Sequence, residues 1–427
     1  MLSTYEQTLE YLYTNLPMFQ RVGAVAYKKD LTNTLVLCSA LGNPHQKFKS
    51  VHIAGTNGKG STAHMIASVL QSAGYKTGLY TSPHLKSFTE RVRIDGSEVT
   101  QTFVIDFVNR IQPFIEQIKP SFFEITVAMA FEYFAQQQVD IAVIEVGLGG
   151  RLDSTNVITP EVSVITNIGY DHTDMLGDTL PGIAFEKAGI IKPKVPVVIS
   201  ERQEETATVF EQKAALEQAP ILFADKSVTM RQDGSVVHVS STYQNQPISF
   251  EFPLVGSYQQ KNIAGVLTAL ECLVDRGFSI SKEQVCQGMK QVITQTGLKG
   301  RWQILQHNPL VICDTGHNVD GIRFITKQLA SYRCKNLFIV LGIVKDKNHA
   351  EVFKLLPKEA TYIFCQAKIP RAMDAAALAA EAEVFGLSGE VVPDVNDALQ
   401  TAFQKATSDD LIFVGGSTFV VAELENL

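Results

Sequence analysis

The stretch Ile53-Ala54-Gly55-Thr56-Asn57-Gly58-Lys59-Gly60-Ser61-Thr62 decides how the rest of the chain is read. Val51-His52-Ile53-Ala54 before it is an apolar strand candidate, and Met65, Ile66, Val69 and Leu70 behind it fall at helical spacing. Strand, glycine-rich turn and helix N-terminus together make a phosphate cradle. Glycines let backbone N–H groups curl inward, and the helix end adds partial positive charge. Lys59 brings a cation to terminal phosphates, and Ser61 and Thr62 bring hydroxyls close by. The common P-loop sets Ser or Thr directly after the lysine, whereas Gly60 stands there in this chain. A glycine-rich turn alone is often only a turn. With strand, lysine and paired hydroxyls in register, it points to nucleotide binding.

A chain of 427 residues, 45% hydrophobic and 19% charged, is an ordinary globular composition with length for two or three domains. A formal charge of −7 argues against a general nucleic-acid binder. The six cysteines (Cys38, Cys272, Cys286, Cys313, Cys334 and Cys365) form no CxxC pair, which suits a reducing compartment and argues against structural zinc. Met1-Leu2-Ser3-Thr4-Tyr5-Glu6 has neither a basic start nor an apolar run, and no stretch approaches the ~20 apolar residues that span a bilayer. A cytoplasmic protein that avoids membranes is expected.

Helical periodicity covers 1–20 and 31–42, and the P-loop unit follows. A short strand at 77–80 leads into Thr81-Ser82-Pro83-His84, and helices are expected over 101–118 and 121–138. An apolar strand over 139–146 carries Glu145 near its end and runs into Gly147-Leu148-Gly149-Gly150-Arg151-Leu152-Asp153. Further buried strands are expected at 162–166 and 195–200. Such alternation indicates a parallel sheet covered on both faces, with functional residues beyond the strands' carboxyl ends. Ser82, Glu145 and His172 hold positions of that kind.

From about 220 to 256, short alternating segments separated by Asp233-Gly234 and Asn245-Gln246-Pro247 read as a small antiparallel appendage. Helices return over 258–275 and 281–293, and Thr294–Gly300 reads as a linker. Strands at 311–313, 337–340, 362–364 and 411–414 then build a second α/β domain of roughly 130 residues. The expected fold is α/β: a P-loop NTPase-like doubly wound sheet with an antiparallel appendage over 1–296, and a smaller Rossmann-like domain over 297–427.

Single residues leave alternatives open. Glu145 suits a magnesium-holding acid, or a solvated strand-end carboxylate. His172, in Asp171-His172-Thr173-Asp174, suits a ligand, but more readily a loop histidine bonded to its neighbours. Lys187 also reads as an exposed helix lysine, and Asp314, in Asp314-Thr315-Gly316-His317-Asn318, as a helix cap. Asn262 and Arg301 sit on ordinary elements.

Taken together these motifs resemble the ATP-dependent Mur ligase superfamily, and within it the folylpolyglutamate synthase/dihydrofolate synthase branch. The resemblance covers nearly the whole chain. It rests on Gly55–Ser61, Thr81–His84, Glu145–Asp153, Tyr170-Asp171-His172, Glu186-Lys187-Ala188-Gly189, Asn262, Gly300-Arg301-Trp302 and Asp314…His317-Asn318. Gly-Lys-Gly-Ser at 58–61 is similar to the folate branch, as is the position of the P-loop so near the start of the chain. Gly316 and Ser154 stand where relatives often have Ala, and Asp346-Lys347-Asn348, where many have a second acid, is assigned no role.

The resemblance implies that ATP phosphorylates a substrate carboxylate and that the amine of L-glutamate displaces the phosphate. It implies that Thr56, Asn57, Gly58, Lys59, Gly60, Ser61, Thr62, Asn262, Arg301 and Asp314 contact ATP, and that Ser82, Glu145 and His172 hold magnesium. Lys187 would be carbamylated and His317 would lie near the incoming glutamate. Ser121, Phe122, Phe123 and Glu124, with Leu152, Asp153 and Ser154, would hold the pteroate part of dihydropteroate or a reduced folate. A monomer is implied. The competing readings are a Mur-type ligase with a non-folate acceptor, and a P-loop switch that binds a partner without forming a product.

Overall fold

The apolar run before the glycine-rich turn is a strand, β1 (Lys49–Ala54), buried from Ser50 onward at the middle of an eight-stranded sheet. The computed structural model describes residues 2–18, 30–241, 247–345 and 349–427. Its chain divides into two units, Met1–Pro253 with Gln259–Leu298 and Leu254–Tyr258 with Lys299–Leu427. Asn245, Gln246 and Asp346–Asn348 lie outside the described residues.

In the first unit β1 is followed by β2 (Thr77–Tyr80), β3 (Val92–Ile94), β4 (Ser97–Glu98), β5 (Ile141–Glu145), β6 (Val162–Ile165), β7 (Val197–Ile199) and β8 (Ile221–Phe223). They lie in the order β4-β3-β2-β5-β1-β6-β7-β8. The six strands from β2 to β8 are parallel, as their apolar runs require of a sheet covered on both faces. Two antiparallel edge strands, β3 and β4, extend what the sequence pattern indicated, because segments of two or three residues carry too little periodicity to register. Residues 221–223 also join this sheet instead of the appendage. The appendage itself is β9 (Val228–Asp233), β10 (Val236–Ser241) and β11 (Ile248–Glu251), paired antiparallel.

Register sets the site. Ile53 pairs with Glu145 of β5, Ala54 with Ile165 of β6, and Tyr80 of β2 with Ile144. The carboxyl ends of four strands are therefore level, and the loops 55–58, 81–84, 146–153 and 166–172 leave the sheet side by side. The helix Lys59–Ser72 is buried from Gly60 to Leu70 and packs beneath the helices Gln259–Asp275 and Lys282–Lys290. The expected linker begins as helix: Val292–Thr296 is helical, and buried Thr296 meets His64 Nδ1 through its hydroxyl at 2.8 Å. Gln295 likewise accepts from Ser68. Polar side chains that read as linker are satisfied by the P-loop helix.

The second unit holds β12 (Gln303–His307), β13 (Leu310–Cys313), β14 (Leu337–Leu341), β15 (Thr361–Phe364), β16 (Gly389–Val391) and β17 (Leu411–Gly415). Their order is β12-β13-β17-β14-β15-β16, parallel except for β12. Alternation puts Ile312, Ile339 and Phe413 into one apolar layer and Val311, Val340 and Ile412 into the other, so both faces are covered. Among the described residues no helix is long and apolar enough to cross a membrane.

Candidate active site

Gly58 has φ +86°, and a Cβ there would lie 2.2 Å from Asn262 Oδ1. Only glycine lets the turn and the helix Gln259–Asp275 come this close. Thr56 N donates to Asn167 O at 2.9 Å and Asn57 N to Asn167 Oδ1 at 2.9 Å, while Thr56 Oγ1 and Gly169 N are 3.0 Å apart. The loop after β6 thus holds the start of the P-loop. The first intrahelical bond runs from Thr62 N to Gly58 O, which leaves the amides of Lys59, Gly60 and Ser61 as the open helix end. An open helix end of this kind can take an anion, which is the use the sequence leads one to expect of it.

Two lysines meet at one carbonyl. Lys59 Nζ donates to Gly55 O and Thr56 O at 3.1 Å each, and Lys187 Nζ donates to the same Gly55 O at 2.9 Å. Lys187 is 4% exposed, so the reading of an exposed helix lysine gives way. Burial, with Lys59 beside it, pulls its ammonium down from 10.5 to about 7, against the opposing pull of Asp171 and Asp153.

Glu145 is buried at the end of β5, and its Oε2 accepts from Ser82 N at 3.1 Å. His172 is a left-handed residue (φ 52°) whose N donates to Asp171 Oδ1 at 3.0 Å. Thr62 Oγ1 is buried with no hydrogen-bond partner. A carboxylate, two hydroxyls and one imidazole make an oxygen-dominated donor set, which fits a hard divalent cation such as magnesium and disfavours soft metals. Among the described residues no three His, Cys, Asp or Glu side chains gather as a protein-only metal cage.

The residues expected to hold an acceptor divide by role. Ser121 and Glu124 form a capping box: Ser121 N donates to Glu124 Oε2 at 2.6 Å, and Glu124 N to Ser121 Oγ at 3.2 Å. Phe122 is core, 3% exposed. Phe123 is half-buried and lies so close over the next loop that a Cβ at Gly147 would stand 2.4 Å from its ring tip. Asp153 accepts from Leu148 N at 2.8 Å and from Thr155 N at 2.9 Å, and burial raises its carboxyl above the usual range. Leu152 is half-buried and Ser154 buried beside it.

In the second unit Asp314 is a hub. Its Oδ2 accepts from Tyr258 Oη at 2.6 Å and from Trp302 N at 2.7 Å, and its Oδ1 from Gly316 N at 2.7 Å. Burial pushes its carboxyl up, while the Tyr258 hydroxyl and Arg301 pull it back. Arg301 donates to the Thr315 hydroxyl. His317 Nδ1 lies 3.0 Å from Thr315 O, so that nitrogen donates to the carbonyl. The helix cap is Asn318, whose Oδ1 accepts from Gly321 N at 2.9 Å, and not Asp314.

Sequence reasoning passed over Gln259, whose amide donates to Ser61 Oγ at 3.1 Å and accepts from Asn262 Nδ2 at 2.8 Å. It passed over Asn167 and Tyr258 as well. Only Asn167 carried a signal, as the first polar residue after a buried strand.

The Mur ligase middle domain matches residues 53–270 and the Mur ligase glutamate ligase domain residues 300–418. The dihydrofolate synthase/folylpolyglutamate synthase of Bacillus subtilis is 31% identical over 442 residues, 99% of each chain. A probable bifunctional folylpolyglutamate synthase/dihydropteroate synthase of Halobacterium salinarum is 34% identical over 408 residues, 93% of this chain and 49% of its own. The chain spans about half the length of that curated relative. Among solved structures, the bifunctional folylpolyglutamate synthase/dihydrofolate synthase bound to Mn, AMPPNP and L-glutamate matches with TM-score 0.83 at 30% identity, covering 98% of this chain and 97% of that one.

Proposed function

Since the chain belongs to the Mur ligase family, we propose that it joins L-glutamate to a reduced folate, to dihydropteroate, or to both, using ATP. The observation that carries this is the meeting of Lys59 and Lys187 on Gly55 O at the open helix end. A carboxylate resists an amine until one oxygen leaves as phosphate, and several negative charges must then share one point. Lys59 and the amides of 59–61 hold the nucleotide phosphates. Ser82, Glu145 and His172 would hold a magnesium ion, which supplies charge neutralisation at the transferred phosphoryl group. Phe123 over Gly147 offers a flat apolar face for a pterin. His317, whose Nδ1 is engaged by Thr315 O, would take a proton from the incoming ammonium through its other ring nitrogen. The partners are thus small molecules, and the protein acts as a monomer in the cytoplasm.

The test is ADP release measured with each substrate withheld in turn. Release should require both L-glutamate and a pteroate or folate acceptor, and comparing dihydropteroate with tetrahydrofolate assigns one activity or two. ATP turnover indifferent to both substrates would refute the proposal.

A further inference from the structure

Arg91 ends a short turn before β3 and is 3% exposed. Among the described residues no carboxylate forms an ion pair with its guanidinium. Its neighbour Glu90 is engaged elsewhere, accepting from the amides of Leu85, Lys86 and Ser87 at 2.8, 2.9 and 2.9 Å. Burial outweighs the Tyr80 hydroxyl and the Glu90 charge, which favour the cation, and a structural role alone is served better by an apolar side chain of the same volume.

What Arg91 does touch is specific. Its carbonyl accepts from Thr81 N at 3.0 Å, and its Nε donates to His84 Nδ1 at 2.8 Å. The two contacts bracket Ser82 and Pro83 from either side. The guanidinium also lies over the Phe122 ring, 5.3 Å from its centroid, and that ring is packed by Tyr13 and Phe88 at 5.6 and 5.9 Å. Phe122 opens the helix whose next residue, Phe123, covers Gly147.

We infer that Arg91 is a positioning residue that sets two parts of the site together, the Ser82 loop through Thr81 and His84, and the acceptor helix through Phe122. The inference rests on the ligase reading above. A guanidinium suits the task because its planar face stacks while its edge donates; a lysine ammonium keeps the charge and loses both geometries.

The test compares wild type with Arg91→Lys and Phe122→Leu in the ADP-release assay. Each variant should raise the KM for the acceptor and the apparent constant for magnesium by fivefold or more. The turnover number at saturation should fall less than either constant rises, and ADP affinity in the absence of magnesium should stay at the wild-type value. Arg91→Lys with both constants unchanged overturns the inference, as does a rise matched by an equal loss of magnesium-free ADP affinity. If Arg91→Lys does not fold, Phe122→Leu decides by the same two outcomes. A wild-type enzyme without acceptor-dependent ADP release would instead refute the ligase reading, and this inference with it.

Discussion

Lys187 is the residue whose chemistry departs furthest from its ordinary state. Its amine loses its proton near pH 7 because water is excluded and a second ammonium shares Gly55 O. A neutral amine is the form that adds carbon dioxide, and the resulting carbamate would replace a cation by an anion beside the magnesium shell. Lys187→Ala should therefore lose turnover and recover part of it with small carboxylates; full activity without them counts against a carbamate. Stability gives a second check. The folded value near 7 lies below the usual 10.5, so between these limits the unfolded chain binds more protons and folding gains as pH rises. The penalty of the buried charge is full below pH 7 and fades above it, at about 1.4 kcal/mol per pH unit. In bicarbonate-free buffer, wild type should gain stability over Lys187→Met between about pH 7 and 10, as read by urea unfolding. Parallel curves would mean the amine is charged throughout.

At the scale of elements, the P-loop turn and the helix behind Gln259 were shaped for each other. Gly58→Ala puts a Cβ 2.2 Å from Asn262 Oδ1 and holds alanine at φ +86°. Two costs separate here. Strain of a left-handed alanine is roughly 1–2 kcal/mol, and the clash adds to it. Adding Asn262→Ala should remove the clash and leave the strain, so the double variant should be more stable to urea than Gly58→Ala alone. Equal stabilities would show that the helix moves aside freely. Strands of the parallel sheets were legible because burial on both faces writes continuous apolar runs, as in Ile141-Ala142-Val143-Ile144. The Ser121–Glu124 cap follows a local rule too. What stayed hidden was long-range pairing: Gln259 with Ser61 across 198 positions, and Asn33 with Glu124 across 91. No periodicity encodes a partner that distant.

For the whole molecule, the two units meet in sequence at Leu298 and Lys299, inside the stretch 294–300 that reads as a linker, whereas nothing in the sequence marks the excursion Leu254–Tyr258 into the second unit. Five residues carry no composition signal, although Tyr258 closes the Asp314 hub from there. Charge makes the last demand at this scale. On the ligase reading, a chain of net charge −7 would have to gather a nucleoside triphosphate and two carboxylate substrates, and its own field would oppose each arrival. Lys59 would offset part of this, and a divalent cation the rest. On the same reading that cation would arrive with the nucleotide and be held by Ser82, Glu145 and His172. Chelation should therefore abolish turnover, with recovery on adding magnesium, while leaving the melting temperature of the ligand-free protein unchanged. Magnesium with a non-hydrolysable ATP analogue at 100 times its Kd should stabilise the fold by about 2.7 kcal/mol, and chelation should remove most of that gain. A ligand-free protein that melts earlier after chelation would place the metal in the fold itself and overturn this assignment.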